Sequence, residues 1–210
     1  MNIGIIGSGN VGGTLGKRWA QAGHQVVFGS RNPGSGAMRQ LAAEAGATAR
    51  AASFNETVEA SEVLLLATPW PATQPALEGL GDLTGKVLMD ATNPLLPNLA
   101  GVEFGTTTSG AEQVAGWAHG AKVVKAFNTV GYNIMANPAF GLGRPVMFYC
   151  GDDAGAKKIV KPLVDGLGFE SIDAGPLSQA RLLEPLALLW ISLALFHGQG
   201  REFAFSLLRR

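Results

Sequence analysis

The chain has 210 residues, and its 16 basic and 16 acidic residues give a formal net charge of zero. This balance argues against nucleic acid as a partner, because nucleic-acid-binding proteins usually present a basic surface. With 47% hydrophobic and 15% charged residues, residues 1–210 are long and apolar enough for a single domain built on a parallel sheet covered by helices.

The first predicted element is an apolar strand over residues 3–6, which leads into a glycine-rich turn and then a helical segment at 15–22. The spacing Gly-x-Gly-x-x-Gly in this context is the fingerprint of dinucleotide binding. Gly7 permits the tight turn, Gly9 lets the backbone approach a pyrophosphate, and Gly12 lets helix and strand pack closely. The alternative is an ordinary glycine-rich turn. The residues predicted to contact the cofactor here are Gly7, Ser8, Gly9, Asn10, Val11 and Gly12.

The second predicted strand, residues 25–28, ends where NAD-dependent enzymes carry an acidic residue that binds the ribose hydroxyls. Positions 29–33 instead read Gly-Ser-Arg-Asn-Pro, and no acid occurs before Glu44. Arg31 can pair with a 2′-phosphate and Ser30 can donate a hydrogen bond to it. We therefore predict NADP(H) as the cofactor; the alternative is that Arg31 is a solvated surface charge. The residues predicted to bind this end of the cofactor are Ser30, Arg31 and Asn32, with Arg39 as a second candidate cation.

Apolar, β-rich runs recur along the rest of the chain, separated by helical or looped segments. These runs cover residues 63–67, 86–91, 122–127, 146–150 and 170–173. Their alternation with helices predicts an α/β fold with a doubly wound, Rossmann-type, mostly parallel sheet flanked by helices. Ser53 and Ser109 each stand three residues before a glutamate, which predicts capping boxes at two helix starts. A further helix is predicted over residues 154–165.

The final predicted helix is short, begins near Ala180 and is apolar almost all round, so it belongs in a core or a subunit interface. We favour the interface and expect a homodimer formed through this helix, or a helix that covers the acceptor site. The apolar run 182–196 reaches about 22 Å at about 1.5 Å per residue, short of the roughly 30 Å of a membrane span. Cys150 is the only cysteine, so no intramolecular disulfide forms. We expect a cytoplasmic protein without a signal peptide or a membrane partner.

Ligands of doubly wound sheets lie outside the carboxyl ends of the strands. The strand ends of this chain supply Thr68, Pro69 and Trp70, then Asn93, and finally Ala126, Asn128 and Thr129. We expect Thr68 and Pro69 to border the ribose and the adenine side. Asn93 and Asn128 can address the nicotinamide carboxamide or the acceptor. The alternative is that both asparagines only satisfy loop backbone.

No general acid is evident in the sequence. It contains no Tyr-x-x-x-Lys pair, no cysteine and histidine cluster with metal-ligand spacing, and no nucleophile–base pair. Reduction of a simple ketone usually needs an acid, whereas a flavin-like ring spreads the transferred charge itself. A flat acceptor stacked about 3–3.5 Å from the nicotinamide therefore fits better. Hydrogen bonds from Asn128, the predicted catalytic residue, or from backbone N–H groups would stabilise it.

Four segments together resemble a known family. They are Gly-Ser-Gly-Asn-Val-Gly at 7–12, Gly-Ser-Arg-Asn-Pro at 29–33, Lys-Ala-Phe-Asn-Thr at 125–129, and Gly-Pro-Leu at 175–177 followed by Ala-Arg-x-x-Glu-Pro at 180–185. The chain is similar to the NADPH-dependent deazaflavin (coenzyme F420) reductases and to the cytosolic part of the membrane ferric reductases called STEAP. The resemblance implies that Ser8, Ser30 and Arg31 hold the 2′-phosphate and that Asn128 lies near the nicotinamide and the deazaflavin. Archaeal members have histidine in place of Asn128 and threonine in place of Ser8.

Three functions stay open on the sequence. The leading hypothesis is an NADPH-dependent oxidoreductase that passes hydride to a deazaflavin or a flavin as second substrate. The second is a reductase of another small acceptor, such as an imine or a quinone. The third is a non-catalytic NADPH-binding module that senses redox state or docks onto a partner. A nicotinamide-side set of Asn93, Asn128 and Thr129 argues against pure sensing, because adenine and phosphate contacts alone would suffice for binding.

Overall fold

The computed structural model describes residues 1–141 and 143–210. The strands are β1 (Asn2–Ile6), β2 (Gln25–Gly29), β3 (Ala49–Ala52), β4 (Val63–Leu66), β5 (Val87–Asp90), β6 (Lys122–Lys125), β7 (Val146–Gly151) and β8 (Glu170–Asp173). The α-helices are α1 (Asn10–Gln21), α2 (Gly36–Ala45), α3 (Phe54–Ala60), α4 (Thr73–Glu78), α5 (Gly110–Trp117), α6 (Tyr132–Ala136), α7 (Ala154–Asp165) and α8 (Ala180–Leu195).

These strands form one sheet in the order β3-β2-β1-β4-β5-β6-β7-β8. All neighbouring pairs from β3 to β6 are parallel, β7 runs antiparallel to β6, and β8 is parallel to β7. The predicted doubly wound, mostly parallel sheet is therefore confirmed. Strand order reverses between β1 and β4, and this reversal opens a crevice at the carboxyl ends of the strands.

Helices cover both faces of the sheet, so the sheet divides the hydrophobic core into two parts. Leu65 and Met89 face the side covered by α1, α2, α6 and α7, while Leu64 and Leu88 face α3, α4, α5 and α8. This alternation explains why β4 and β5 read as continuous apolar runs, since both of their faces are buried. Cys150 is completely buried as well, and burial raises the pKa of its thiol to about 12.

Several predicted elements were placed correctly and others were not. The helix over 154–165 and the start of α8 at Ala180 match the structure. The strand β3 was missed, because Ala-Arg-Ala-Ala has no β-branched residue and joins the sheet through backbone pairing with β2. The predicted strands 63–67, 86–91 and 122–127 extend one or two residues too far, into the turns that carry the candidate site.

The two predicted capping boxes differ. At Ser53 the box is complete, with the hydroxyl and the Glu56 carboxylate each bonded to the other residue's backbone N–H. Ser109 does accept a hydrogen bond from the backbone N–H of Glu112, but the carboxylate of Glu112 binds Arg181 and the Ser109 hydroxyl instead of closing the box. The second box is therefore wrong, because a long-range ion pair takes the carboxylate.

In the part of the chain that the structure describes, no helix combines the length and the apolarity that crossing a bilayer requires.

Candidate functional site

A groove of about 610 Å³ lies at the carboxyl ends of β1, β4 and β5, beside the reversal of strand order. It is lined by residues 7–11, 67–71, 91–93 and by Leu95. The groove therefore brings together the glycine turn, the segment after β4 and the segment after β5, as the sequence predicted. Among these lining residues, none carries a titratable side chain.

The three glycines of the turn serve different purposes. Gly7 has φ +102°, and a Cβ there would lie 2.5 Å from the carbonyl oxygen of Ala67. A Cβ at Gly12 would collide with the carbonyl oxygen of Gly7. Both positions therefore need glycine for the fold itself. A Cβ at Gly9 would meet no atom within 4 Å, so packing within the chain leaves this position open.

The start of α1 is suited to a negatively charged group. Gly9 is the N-cap residue, so no side chain caps the helix, and the first turn carries no acidic residue. The free backbone N–H groups and the positive end of the helix dipole therefore lie at the turn that lines the groove. Together with the open space at Gly9, this arrangement fits a pyrophosphate.

The predicted phosphate-binding residues lie beside the groove, at the carboxyl end of β2. The Ser30 hydroxyl accepts a hydrogen bond from the backbone N–H of Asn32 at 3.1 Å. Arg31 is exposed and makes no hydrogen bond or salt bridge to any residue that the structure describes. Arg39 instead donates to the carbonyl oxygen of Gly34. Arg31 is thus the available cation, and Arg39 is already engaged.

The segment after β4 forms one wall of the groove. The Thr68 and Thr73 hydroxyls lie 2.9 Å apart. The indole N–H of Trp70 donates to Glu103 Oε2 at 2.5 Å, and its ring packs against Trp117 with centroids 5.5 Å apart. These contacts fix the indole at the rim of the groove. Pro69 is exposed beside it.

Asn93 and Asn128 are paired with each other. Asn93 Nδ2 donates to the backbone carbonyl of Asn128 at 3.0 Å, and Asn128 Nδ2 donates to Asn93 Oδ1 at 3.1 Å. Asn128 Nδ2 also donates to the Leu183 carbonyl at 3.0 Å. Asn93 lines the groove, whereas Asn128 is 4% exposed and stands behind it. Asn93 is therefore the amide that a groove ligand would meet.

Two other predicted residues of this loop are also buried. Ala126 is inaccessible, and the Thr129 hydroxyl contacts the sulfur of Met147 at 3.9 Å. Between them Phe127 has φ +63°, a conformation that costs about 1–2 kcal/mol for a residue with a side chain. Its ring is buried and packs edge-on against Trp19, which holds the strained turn in place. The loop thus supports the groove from behind.

A buried ion cluster that the sequence analysis missed lies behind this pair. We call Lys125, Asp90 and Glu184 the lysine cluster; all three side chains are 0–1% exposed. Lys125 Nζ donates to Asp90 Oδ2 at 2.9 Å, to Glu184 Oε1 at 2.9 Å and to the Thr92 carbonyl at 2.7 Å. Burial acts to lower the pKa of Lys125, but the two carboxylates outweigh it and raise that pKa above its ordinary value. A lysine in an apolar strand and a glutamate in an apolar helix were the available signals.

Glu184 also caps a helix. Its carboxylate accepts hydrogen bonds from the backbone N–H groups of Gly110 and Ala111, at 2.9 and 3.0 Å, which satisfies the first N–H groups of α5. A second link joins the same helices, because Arg181 binds both carboxylate oxygens of Glu112 at 2.9 and 2.6 Å. The hydrogen bonds from Arg181 are the main reason that the pKa of Glu112 is lowered.

Comparisons with known proteins give relatives along the whole chain. A family model described as NADP oxidoreductase, coenzyme F420-dependent, matches residues 2–94. The chain is 31% identical over 210 residues to the F420-dependent NADP reductase of Methanothermobacter marburgensis, with 92% of each protein covered. It is 34% identical over 191 residues to the metalloreductase STEAP3 of Rattus norvegicus. That match covers 89% of this chain but 37% of the rat protein, so this chain spans well under half of that relative.

Solved structures agree with the fold. A crystal structure from Arthrobacter sp. FB24, described as that of an F420-dependent NADP reductase, superposes with a TM-score of 0.88 at 31% identity and covers 99% of both chains. A reductive aminase from Aspergillus terreus, in complex with NADPH4, superposes with a TM-score of 0.68 at 20% identity. It covers 94% of this chain and 62% of the aminase, and at this identity the likeness shows the fold alone.

The different surroundings of Gly9 and Gly12 give a matched pair of variants. Gly12→Ala should lower the free energy of unfolding by about 2 kcal/mol or more, because its Cβ has no space. Gly9→Ala should change that free energy by less than about 1 kcal/mol and raise the Kd for NADPH about 10-fold. Urea unfolding and calorimetric titration measure the two effects. Unchanged NADPH affinity in Gly9→Ala would show that the open space at Gly9 is not where the phosphates bind.

Proposed function

The chain belongs to the family of coenzyme F420-dependent NADP oxidoreductases, and on this premise we propose that it transfers hydride between NADPH and a planar deazaflavin or flavin-like acceptor. The observation that carries the proposal is a groove with a free helix N-terminus at one end, a paired amide at the other, and no titratable side chain in its lining. Such a site can bind and orient two flat rings, but its lining offers no side chain that could act as a general acid or base.

The phosphate end explains the preference for NADP(H) in this proposal. The backbone N–H groups at the start of α1 bind the pyrophosphate, with Gly9 giving it room. Arg31, which has no partner among the described residues, pairs with the 2′-phosphate, and the Ser30 hydroxyl donates a hydrogen bond to it. Ser8 is assigned to the 2′-phosphate together with Ser30 and Arg31, and Thr68 and Pro69 border the ribose from the groove wall.

The nicotinamide end is assigned to the asparagine pair. Asn93 Nδ2 gives one hydrogen to the Asn128 carbonyl, so its second hydrogen is available to the nicotinamide carboxamide or to the acceptor. Asn128 acts at the reactive centre by holding Asn93, in place of the direct contact that the sequence suggested. NADPH supplies the hydride, and the residues of the chain position the donor and acceptor rings and exclude water.

The acceptor class follows from the lining of the groove. A simple ketone becomes an alkoxide on reduction and needs a nearby acid, which the lining does not offer. A deazaflavin or flavin ring delocalises the added charge and needs only hydrogen bonds from amides or backbone N–H groups. The indole of Trp70, fixed by Glu103 at the groove rim, offers an aromatic surface beside which a flat ring can pack.

We also propose that the chain forms a homodimer through α8. Leu182 and Leu189 on this helix and Phe196 directly after it are 66%, 50% and 61% exposed. Apolar side chains of this size gathered along one helix are typical of a subunit interface. A second copy of α8 would cover them.

The role of Arg31 can be tested by cofactor selectivity. Arg31→Ala should raise the Kd for NADPH by about 10- to 100-fold, since a charge-assisted bond to the 2′-phosphate is lost, and should leave the Kd for NADH within about 2-fold. Fluorescence titration measures both. Arg50→Ala, which removes an exposed arginine from the neighbouring strand β3, is the control and should bind NADPH normally. Equal weakening for both cofactors would contradict the assignment.

The acceptor is tested by anaerobic turnover. The purified chain with NADPH should reduce oxidised deazaflavin or a flavin at about 1 s⁻¹ or faster, the range of ordinary enzymes. Absorbance of the acceptor ring measures the rate, and a cyclic imine and a quinone are the comparison acceptors. Reduction of the imine or the quinone alone would contradict the planar-ring proposal. NADPH binding without turnover of any acceptor would favour a non-catalytic module.

A further inference from the structure

The three segments that surround the asparagine pair meet at one buried ammonium group. Lys125 Nζ donates to the carbonyl of Thr92, which directly precedes Asn93. Lys125 itself stands three residues before Asn128 on the second segment. Glu184, which binds the same ammonium, directly follows Leu183, whose carbonyl holds the Asn128 amide. Each residue that takes part in the hydrogen bonds of the asparagine pair therefore lies within three positions, along the chain, of a residue of the lysine cluster.

The energetics of the cluster argue that it does more than hold the fold together. Buried ion groups cost desolvation energy, and well-packed apolar residues often serve stability equally well. The attachment of α8 to α5 also has a second link in the Arg181–Glu112 pair. A buried polar cluster fixes the relative orientation of the segments that it joins, because each hydrogen bond sets the position of one atom relative to another. Apolar packing does not impose such an orientation.

Two further features connect the position of the lysine cluster to the position of the asparagine pair: the close packing at the start of α5 and the hydrogen bonds of Asn128. A Cβ at Gly110 would lie 3.0 Å from the Pro94 ring and 3.1 Å from Glu184 Oε1, so the start of α5 is wedged between Glu184 and the residue after Asn93. Asn128 Oδ1 is buried and has no hydrogen-bond partner among the described residues. The orientation of Asn128 therefore depends on its two donated bonds, one to Asn93 and one to α8.

We propose that Lys125 and Glu184 are positioning residues for hydride transfer, which set the placement of Asn93 by fixing the β5 loop, the β6 loop and α8 relative to one another. This inference rests on the proposed function. It assigns to the lysine cluster an effect on the nicotinamide end of the site, and none on the phosphate end, because none of the hydrogen bonds that its side chains make in the described structure goes to the glycine turn or to Arg31.

The test compares two isosteric variants. Glu184→Gln keeps the size of the side chain but places an amide N–H₂ against the ammonium of Lys125 or the N–H groups of α5. Glu112→Gln is the matched control, since it weakens the other link between α8 and α5 without touching the lysine cluster. We expect Glu184→Gln to lower kcat about 10-fold or more with the Kd for NADPH within about 2-fold, and to change the emission of bound NADPH. Glu112→Gln should leave kcat, the Kd for NADPH and the emission of bound NADPH close to their wild-type values.

If Glu184→Gln and Glu112→Gln have the same kcat and the same emission of bound NADPH, the inference is overturned. If Glu184→Gln does not fold, the neutral triple variant Lys125→Met, Asp90→Asn, Glu184→Gln decides, because it leaves no unpaired buried charge. A fall in kcat with normal NADPH affinity supports the inference, and wild-type kcat overturns it.

A failure of the proposed function can be distinguished from a failure of this inference. If wild type binds NADPH but reduces no acceptor, that function is contradicted, and the emission of bound NADPH still tests the positioning role. A change in Glu184→Gln that is absent from Glu112→Gln supports the role, and identical spectra overturn it. Failure of wild type to bind NADPH would overturn both proposals.

Discussion

The ammonium group of Lys125, buried between Asp90 and Glu184, is the interaction on which the candidate site depends. Its three hydrogen bonds join β5, β6 and α8 at one point, although the partners are 35 and 59 residues away along the chain. A parallel sheet fixes where strands end, but it does not fix how the loops beyond those ends lie relative to a helix packed across them. In this chain the lysine cluster makes that connection, directly behind the asparagine pair, of which Asn93 lines the groove.

The opposite end of the groove is built by a different constraint. At Gly7 and Gly12 the backbone of β1 and α1 approaches so closely that any side chain would collide, so these glycines are needed for the fold. Gly9 has open space around it among the described residues and a free helix N-terminus beside it, so the fold does not require glycine there, and we propose that a bound phosphate does. In our proposal the groove therefore combines a phosphate end set by backbone sterics with a nicotinamide end set by buried polar bonds.

Much of this architecture could be predicted from local sequence. Apolar runs alternating with helical segments indicated the doubly wound sheet, and the helix starts at Ala154 and Ala180 were predicted correctly, because caps and periodicity are local signals. The strand β3 was missed because its alanines pair only through the backbone. The lysine cluster was missed because its ion pairs join residues far apart in sequence. The direct role expected of Asn128 was drawn from strand-end position, which cannot reveal that both of its amide hydrogens are bonded to Asn93 and Leu183.

The most direct test of this account is a crystal structure of the chain with NADP⁺ bound. We expect the 2′-phosphate within hydrogen-bond distance of Ser30 and Arg31, the pyrophosphate at the start of α1 beside Gly9, and the nicotinamide carboxamide next to Asn93. The acceptor face of the ring would then be open toward Trp70 or α8. A dinucleotide bound with its nicotinamide away from Asn93, or outside this groove, would contradict the assignment of the site and the role given to the residues behind it.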